Sequence, residues 1–483
     1  MNKKLIQLYK QSLKEREPMT GRWESCRRYT LPSTADEAAQ IFDSTAGDAV
    51  EMLSANMFSL LTPPESLWMT LARAGEFAPE PELATAELRR HINNSNFYTT
   101  VHQSYLDLAT IGTACLFMSE NEIGAQSAFS FTSIPMGDIS ILRDARGEIT
   151  AVFHTTSMPA TCACERYPAW VPPATLKESL KQNPEMPLRI IQSVVADSNG
   201  FAFTAWIDTT GNFENNIVAK GRFETNPYII FRWSAMTGEV YGRSPVMRAL
   251  PDIKTANKVV ELILKNATIA VSGMWQADDD GVINLSNINL TPGAIIPKAV
   301  GSSGLTPLRA GADFNVSQLV LGDLRDRIRH ALLADKMTII SNKDMTATEV
   351  IARNTDMMRT LGATYGRLLG EFIRPMIARA MSILSRRGAI DNVSLDANAM
   401  LCYQAPISQL ASDERVSQII TFIKTLDSAG LPLDINYDAL TNYLADSLHI
   451  PKEILNAPKS IEEEIIEEII DELIEEEILN EQQ

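Results

Sequence analysis

Apolar positions along this chain recur with two different periods, and the changes of period divide it. From residue 1 to about 110 they fall three and four positions apart, in "LIQLYKQSL" and again in "AVEMLSANMFSLL" (Ala49–Leu61), so the stretch predicts helices. Asp43 and Ser44 stand where the second of these needs a cap. "TPP" at Thr62–Pro64 stops it, because proline cannot extend the hydrogen-bond ladder. From about 111 to 235 the pattern shortens to β-branched and aromatic runs: "TACLFMSE", "SAFSFTSI", "ITAVFHTT", "LRIIQSVVA", "FAFTAWI" and "PYIIFRWS". Turn residues separate them, which predicts a mostly antiparallel sheet. "YPAWVPPATLKESLKQNPEMP" interrupts it as a loop with room for one helix.

Helical spacing returns after "YGRSPVMRALP". Pro251 suits a first turn, and a helix is expected from about Asp252 to Gly273, with Val259, Leu262, Ile263, Ile269 and Ala270 on related faces. "ADDDGVINLSNINLTPGAIIPKAVGSSGLTPLRAGA" follows, rich in Gly, Pro, Asn and Ser, and reads as a small β and loop unit. Asp313 can then cap a second helix to about Ala334, carried by Val316, Val320, Leu324, Ile328 and Ala331. At ~1.5 Å per residue each helix spans roughly 33 Å. Matched helices flanking a compact insertion suit an antiparallel pair with the insertion at its far end. An ordinary helical hairpin with a long connection would give the same pattern.

The polar segment at 335–345 leads to "TATE" (Thr346–Glu349), a capping box. Val350, Met357, Met358, Leu361, Tyr365, Leu368, Leu369 and Phe372 continue one helix to about Arg387, bent at Pro375. Shorter helices are expected over 410–456. At the end, Ile461, Ile465, Ile469 and Leu473 form one ridge and Ile466, Ile470, Ile474 and Ile478 the next, on a helix whose other face is acidic. Like charges repel along such a helix, so its order is expected to depend on packing the isoleucine stripe.

Charge sharpens this picture. The formal net charge is −17, and Ser460–Gln483 alone holds eleven acids and no base. A protein that grips DNA through its phosphates needs a basic surface, so any contact with nucleic acid is expected to be passing. The N-terminus reads as an amphipathic helix, not a signal peptide. "VVELILKNATIAV" is broken by Glu261 and Lys265, so no run approaches the ~18 apolar residues of a membrane span. Five cysteines (Cys26, Cys115, Cys162, Cys164 and Cys402) are few and scattered, as in a reducing cytosol. Cys162 and Cys164 with His154 fall short of a metal set, and plain thiols in a sheet or loop are expected.

Catalytic patterns fail in turn. There is no Gly-Lys pair for a phosphate loop, no G-x-S-x-G and no H-E-x-x-H. "ADDDG" hints at a calcium loop, but its register puts Asn287 where a bidentate glutamate belongs. No catalytic residue, metal or cofactor is expected, and the chain is not read as an enzyme. An unrecognised carboxylate site, as in a metal-dependent nuclease, is the enzymatic alternative.

Three stretches then resemble one family. "FDSTAGDAVEMLSANMFSLLTPPESLW" (Phe42–Trp68), "VYGRSPVMRALPDIKTAN" (Val240–Asn257) and "MTATEVIARNTDMMRTLGATYGRLLGEFIRPMI" (Met345–Ile377) are similar, in order and spacing, to the head-to-tail connector, or portal, of short-tailed bacteriophages. The resemblance covers about 1–455 and matches the acidic tail least well. It implies an α+β portal fold: a mixed α/β wing over 1–250 (helical to 110, sheet-rich over 111–235), stem helices at 251–273 and 313–334, a small α/β clip at 274–312, a channel loop at 335–345, a long kinked wing helix and return over 346–399, and a helical crown over 400–483.

The function so implied is a homo-oligomeric ring, a dodecamer, at one vertex of the virion capsid, assembled in the host cytoplasm. It would serve as the channel for packaging and ejection of double-stranded DNA. The implied partners are the major capsid protein, a scaffolding protein, the large subunit of terminase and a tail adaptor, with no membrane. Lys336, Ser341, Asn342, Lys343 and Asp344 would face the DNA from the channel loop. Asp278, Asp279, Asp280, Asn284 and Asn287 would lie in the clip where terminase and adaptor dock. Ile461, Ile465, Ile469 and Leu473 would pack the crown. Other virion proteins, such as a tail adaptor or scaffold, are the non-enzymatic alternative; adaptors are usually shorter and scaffolds lack a sheet-rich region.

Overall fold

The computed structural model describes residues 2–64, 68–73, 79–168, 170–172, 177–178, 183–208, 216–272, 275–276, 306–307, 314–334, 362, 364–390, 399–403, 419, 422–423 and 440–441. The N-terminal half is helical and then sheet-rich, as the periods predict. Helix α1 (Asn2–Thr30) is longer than its apolar pattern suggests and continues through Pro18. Pro18 is exposed, so the carbonyl it deprives of a partner can bond water. A single turn, α2 (Ala35–Ala38), precedes α3 (Thr45–Leu61), which ends at Thr62 before the two prolines. α4 (Pro79–Asn93) and α5 (Phe97–Ile111) follow.

Two antiparallel sheets replace the one expected. β2 (Thr113–Glu120) is central in a three-stranded sheet, between β3 (Phe129–Ser133) and β9 (Tyr228–Arg232). The second is a meander of β4 (Ile139–Arg143), β5 (Ile149–Pro159), β6 (Pro187–Asp197), β7 (Gly200–Ile207) and β8 (Ile217–Phe223). Alternate residues serve its two faces. Phe153, Ile191 and Trp206 pack under α1 against Leu5, Leu8 and Tyr9. Ile141, Val152 and Val194 face the other way, toward Cys115, Ile230 and Tyr241. β4 and β8 carry charged or polar residues between their apolar ones, which hides them from a search for apolar runs. A short helix, α6 (Ala160–Arg166), leads out of β5 and carries Cys162 and Cys164 as exposed free thiols. The expectation of a sheet or loop there is therefore corrected to a helix.

The main core joins α3, α5 and the three-stranded sheet to three later helices: α7 (Pro245–Ser272), α8 (Phe314–Ala331) and α9 (Arg374–Arg386). α7 begins at Pro245, seven residues before the expected start at Asp252, so Pro251 lies inside it. Ser244 explains the earlier start: its Oγ accepts from Met247 N at 2.9 Å and donates to Thr110 O at 2.7 Å, pinning the first turn to α5. The expected kink at Pro375 takes the form of a π-helical turn at Leu369–Ile373, immediately before α9. Pro375 cannot donate to residue 371, and the Arg374 N–H reaches back five residues to Leu369 O. A two-stranded sheet pairs β1 (Met69–Arg73) with β12 (Ala399–Tyr403), so the first residues of the 400–483 segment form a strand. The capping box at Thr346–Glu349, the calcium-like segment from 277 to 287 and the acidic tail lie outside the described residues.

Candidate functional site

The geometry concentrates on a junction where α7 and α8 leave the main core. α7 and α8 run antiparallel, because the start of one is bonded to the end of the other. Arg327 Nη2 donates to both Asp252 carboxylate oxygens at 3.0 Å, and Arg248 Nη2 donates to Ala331 O at 3.1 Å. The second bond places a cation at the carbonyl end of α8, where the helix dipole favours it. At the far end, β10 (Trp275–Gln276) pairs antiparallel with β11 (Thr306–Pro307), bringing the two ends of the insertion together.

Asp43 and Asn257 clamp this pair to the N-terminal helices. Asn257 Oδ1 accepts from the amides of Phe42 (2.6 Å) and Asp43 (3.1 Å), and its Nδ2 donates to Gln40 O at 3.0 Å. One side chain of α7 thus satisfies three backbone groups more than two hundred residues away. Asp43 Oδ1 accepts from Thr45 N at 3.0 Å, the capping role expected of it. Its Oδ2 takes both Nε and Nη2 of Arg325, each at 2.8 Å. The Asp43 side chain is 3% exposed. Burial alone would raise its pKa; hydrogen bonds from Thr45 and Arg325 and the Arg325 charge outweigh it and hold the carboxyl below its ordinary value.

A second clamp ties the π-turn to the sheet. Glu371 receives Arg232 Nη2 at 2.6 Å and Nε at 3.2 Å, and its Oε2 accepts from the Arg232 backbone N–H at 3.0 Å. Arg232 Nη1 donates to Glu239 O at 2.8 Å. Arg367 lies 3.7 Å from the same carboxylate. Between the clamps, "YGRS" crosses the end of α5 at the closest range the backbone allows. Gly112 takes a left-handed φ of 80°, and Gly242 N donates to Thr113 Oγ1 at 2.8 Å. A Cβ on Gly242 would collide with the Gly112 carbonyl, so only glycine fits.

Beyond α8 the chain turns through Leu333, whose φ of 60° is left-handed for a residue with a Cβ. That costs about 1–2 kcal/mol and is held by burial of Leu332, Leu333 and Ala334 in the main core. The departure point of the 335–345 segment is therefore fixed. Lys336, Ser341, Asn342, Lys343 and Asp344 themselves lie outside the described residues. So do Asp278, Asp279, Asp280, Asn284 and Asn287, and Ile461, Ile465, Ile469 and Leu473. The residues that build the junction (Asn257, Arg325, Arg232 and Glu371) were not singled out in the sequence; only Asp43 was, as a cap. The ring nitrogens of His154 face Tyr228 Oη (3.3 Å) and Thr156 Oγ1 (3.2 Å). Among the described residues no cluster of metal-ligating side chains occurs, and no helix is long and apolar enough to cross a membrane.

Comparison with known proteins matches the chain to one family. The family model described as "Bacteriophage head to tail connecting protein" matches residues 2–455. The probable portal protein of Bordetella phage BPP-1 is 22% identical over 409 residues, covering 78% of this chain and 73% of that protein. The portal protein of Salmonella phage epsilon15 is 22% identical over 386 residues, covering 73% of this chain and 66% of its own length. A solved chain from the virion of a native gene transfer agent particle aligns over 85% of this chain and 93% of its own, at 13% identity and a TM-score of 0.38.

Proposed function

The chain belongs to the bacteriophage head to tail connecting protein family, virion components of the portal vertex, and from that premise we propose that its copies close into a ring of twelve whose channel passes double-stranded DNA. The observation that carries this reading is the antiparallel α7–α8 pair, gripped at one end by Asp43, Asn257 and Arg325 and closed at the other by β10–β11. Repeated around an axis, such a pair makes a wall of nearly constant length. Its insertion forms one rim of the wall, and the 335–345 segment meets the channel near the other.

In this reading 251–273 and 313–334 are the stem, 274–312 the clip, 335–345 the channel loop and 400–483 the crown. Asp278, Asp279, Asp280, Asn284 and Asn287 lie where the terminase large subunit and later the tail adaptor dock. The wing meets the major capsid protein and, during assembly, the scaffolding protein. Ile461, Ile465, Ile469 and Leu473 pack the crown, whose acidic faces gather only when their apolar stripes are buried. Lys336 and Lys343, with Ser341, Asn342 and Asp344, steer the passing polyanion through a few cations per copy, while the acidic chain around them prevents sticking.

The test is Lys336→Ala combined with Lys343→Ala in an in vitro packaging assay. Rings are expected to form at the normal yield, with reduced packaging or retention of DNA. Normal packaging, or loss of rings with no specific packaging defect, removes these lysines from the channel.

A further inference from the structure

One face of the molecule runs against the acidity of the chain, whose formal net charge is −17. α1 opens with Lys3, Lys4, Lys10 and Lys14, all exposed, and carries no acid before Glu15. Its inner stripe of Leu5, Leu8 and Tyr9 packs on the face of the five-stranded sheet that presents Phe153, Ile191 and Trp206. β8 adds Lys220 and Arg222 to that face. They pair in register with Thr204 and Ala202, while Phe203 between these turns the other way, over Gly221. Arg189 of β6 faces α1 as well, donating to Tyr9 Oη at 3.3 Å. Asp197 and Asp208 are already paired, with Arg222 at 2.7 Å and with Arg189 at 3.6 Å. Lys3, Lys4, Lys10, Lys14 and Lys220 pair with no acid among the described residues.

Like charges gathered on one face repel one another and draw in a polyanion. The most acidic stretch of this chain is Ser460–Gln483, with eleven acids and no base, and its own charges repel as well. Each of the two supplies the counter-charge that the other lacks. The connection permits the contact: β12 is tied to β1 as far as Tyr403, and the residues from 404 to 459 can reach up to roughly 180 Å. Being tethered, the tail is also present at a higher local concentration than a separate partner. We propose that the carboxylates of Ser460–Gln483 dock on the basic face made by the first half of α1 and β8 of the same chain. The isoleucine ridges lie on the other side of the helix that the sequence predicts there, so docking leaves them free to pack in a crown. A docked tail would also keep this face from gripping nucleic acid. The proposal does not depend on ring formation.

The test is zero-length carbodiimide coupling of lysines to carboxylates in the full-length wild-type protein, read by mass spectrometry. It is run in low salt (about 20 mM) and in high salt (about 500 mM), where screening cuts the range of attraction to a few ångströms. Amide links from the tail carboxylates to Lys3, Lys4, Lys10, Lys14 or Lys220 are expected in low salt and should fall about tenfold in high salt. Lys258 and Lys265 on α7 are the internal control: they are 60% and 65% exposed and already paired with Glu261, and should couple to the tail far less. Coupling to these controls as strong as to the α1 lysines overturns the proposal, as does a yield that ignores salt. A mixture of isotopically light and heavy protein separates links within a chain, which are expected, from links between copies. Links between copies alone overturn the proposal and give the face to a neighbour's tail. Finally, an equimolar duplex of about 20 base pairs is added. The tail links are expected to persist; their loss, with the duplex bound through the same lysines, overturns the proposal and gives the face to DNA.

Discussion

Glu371→Ala tests whether the π-turn clamp holds the long helix to the sheet. The substitution removes the carboxylate facing Arg232, whose side chain is 8% exposed, and strips the Arg232 backbone N–H of its acceptor. Removing one member of a buried pair costs about 3–5 kcal/mol. Glu371 is 20% exposed and Arg232 keeps its bond to Glu239 O, so the lower end applies, about 3 kcal/mol. At about 1.4 kcal/mol per tenfold, local opening should become more frequent by a factor on the order of 100. Hydrogen exchange read peptide by peptide is the suitable assay, since a chain of 483 residues will not unfold as one unit. Protection should fall over 228–243 and 364–386 and hold steady in β5–β7. Glu87→Ala is the control: the Glu87–Arg90 pair is 37% and 53% exposed, and its loss should barely register. Replacing both partners, Arg232→Met with Glu371→Leu, should restore much of the protection. Exchange in Glu371→Ala within threefold of wild type, or a decline spread evenly over the chain, refutes the reasoning.

Three further outcomes follow from other positions. Gly242→Ala places a Cβ against the Gly112 carbonyl and 2.9 Å from Arg232 Cβ, and should cost more than about 3 kcal/mol, read as lost soluble yield. Gly21→Ala meets nothing within 4 Å on the exposed side of α1 and should raise Tm, since alanine favours a helix by about 1 kcal/mol. The Asp43 clamp should depend on pH with a definite sign. Its folded-state pKa is depressed, so the stability it contributes is present above the ordinary carboxylate pKa and is lost as pH falls through the lower, folded value. Asp43→Asn should therefore be less stable than wild type at pH 7, with the difference shrinking in acid. A difference that stays constant down to strongly acidic pH contradicts the assignment.

The elements that announce themselves locally were legible in the chain. The runs that became β2, β3, β5, β6, β7 and β9 carry their own apolar signal, and helical spacing finds α7 and α8 but not their lengths, which are 28 and 18 residues and not the matched pair expected. The antiparallel pairing was expected from the layout of two helices around an insertion. β1 and β12 were not legible, because each exists only through a partner some three hundred residues away. Pro251 misled the placement of α7, since proline favours a first turn locally while Ser244 fixes the helix start through Thr110. The clamp residues were invisible for a similar reason. Nothing near Asn257 in sequence reveals that it will satisfy Gln40, Phe42 and Asp43, and Glu371 looks like any helical glutamate until the π-turn brings it to Arg232. The portal assignment came from family resemblance; the helix–insertion–helix layout came from periodicity.

The measurement closest to the central claim is imaging of the purified full-length protein in negative stain, together with its mass in solution. The account predicts closed rings of twelve copies with an axial hole wide enough for duplex DNA. A uniform monomer or dimer under all conditions, with no ring, contradicts it.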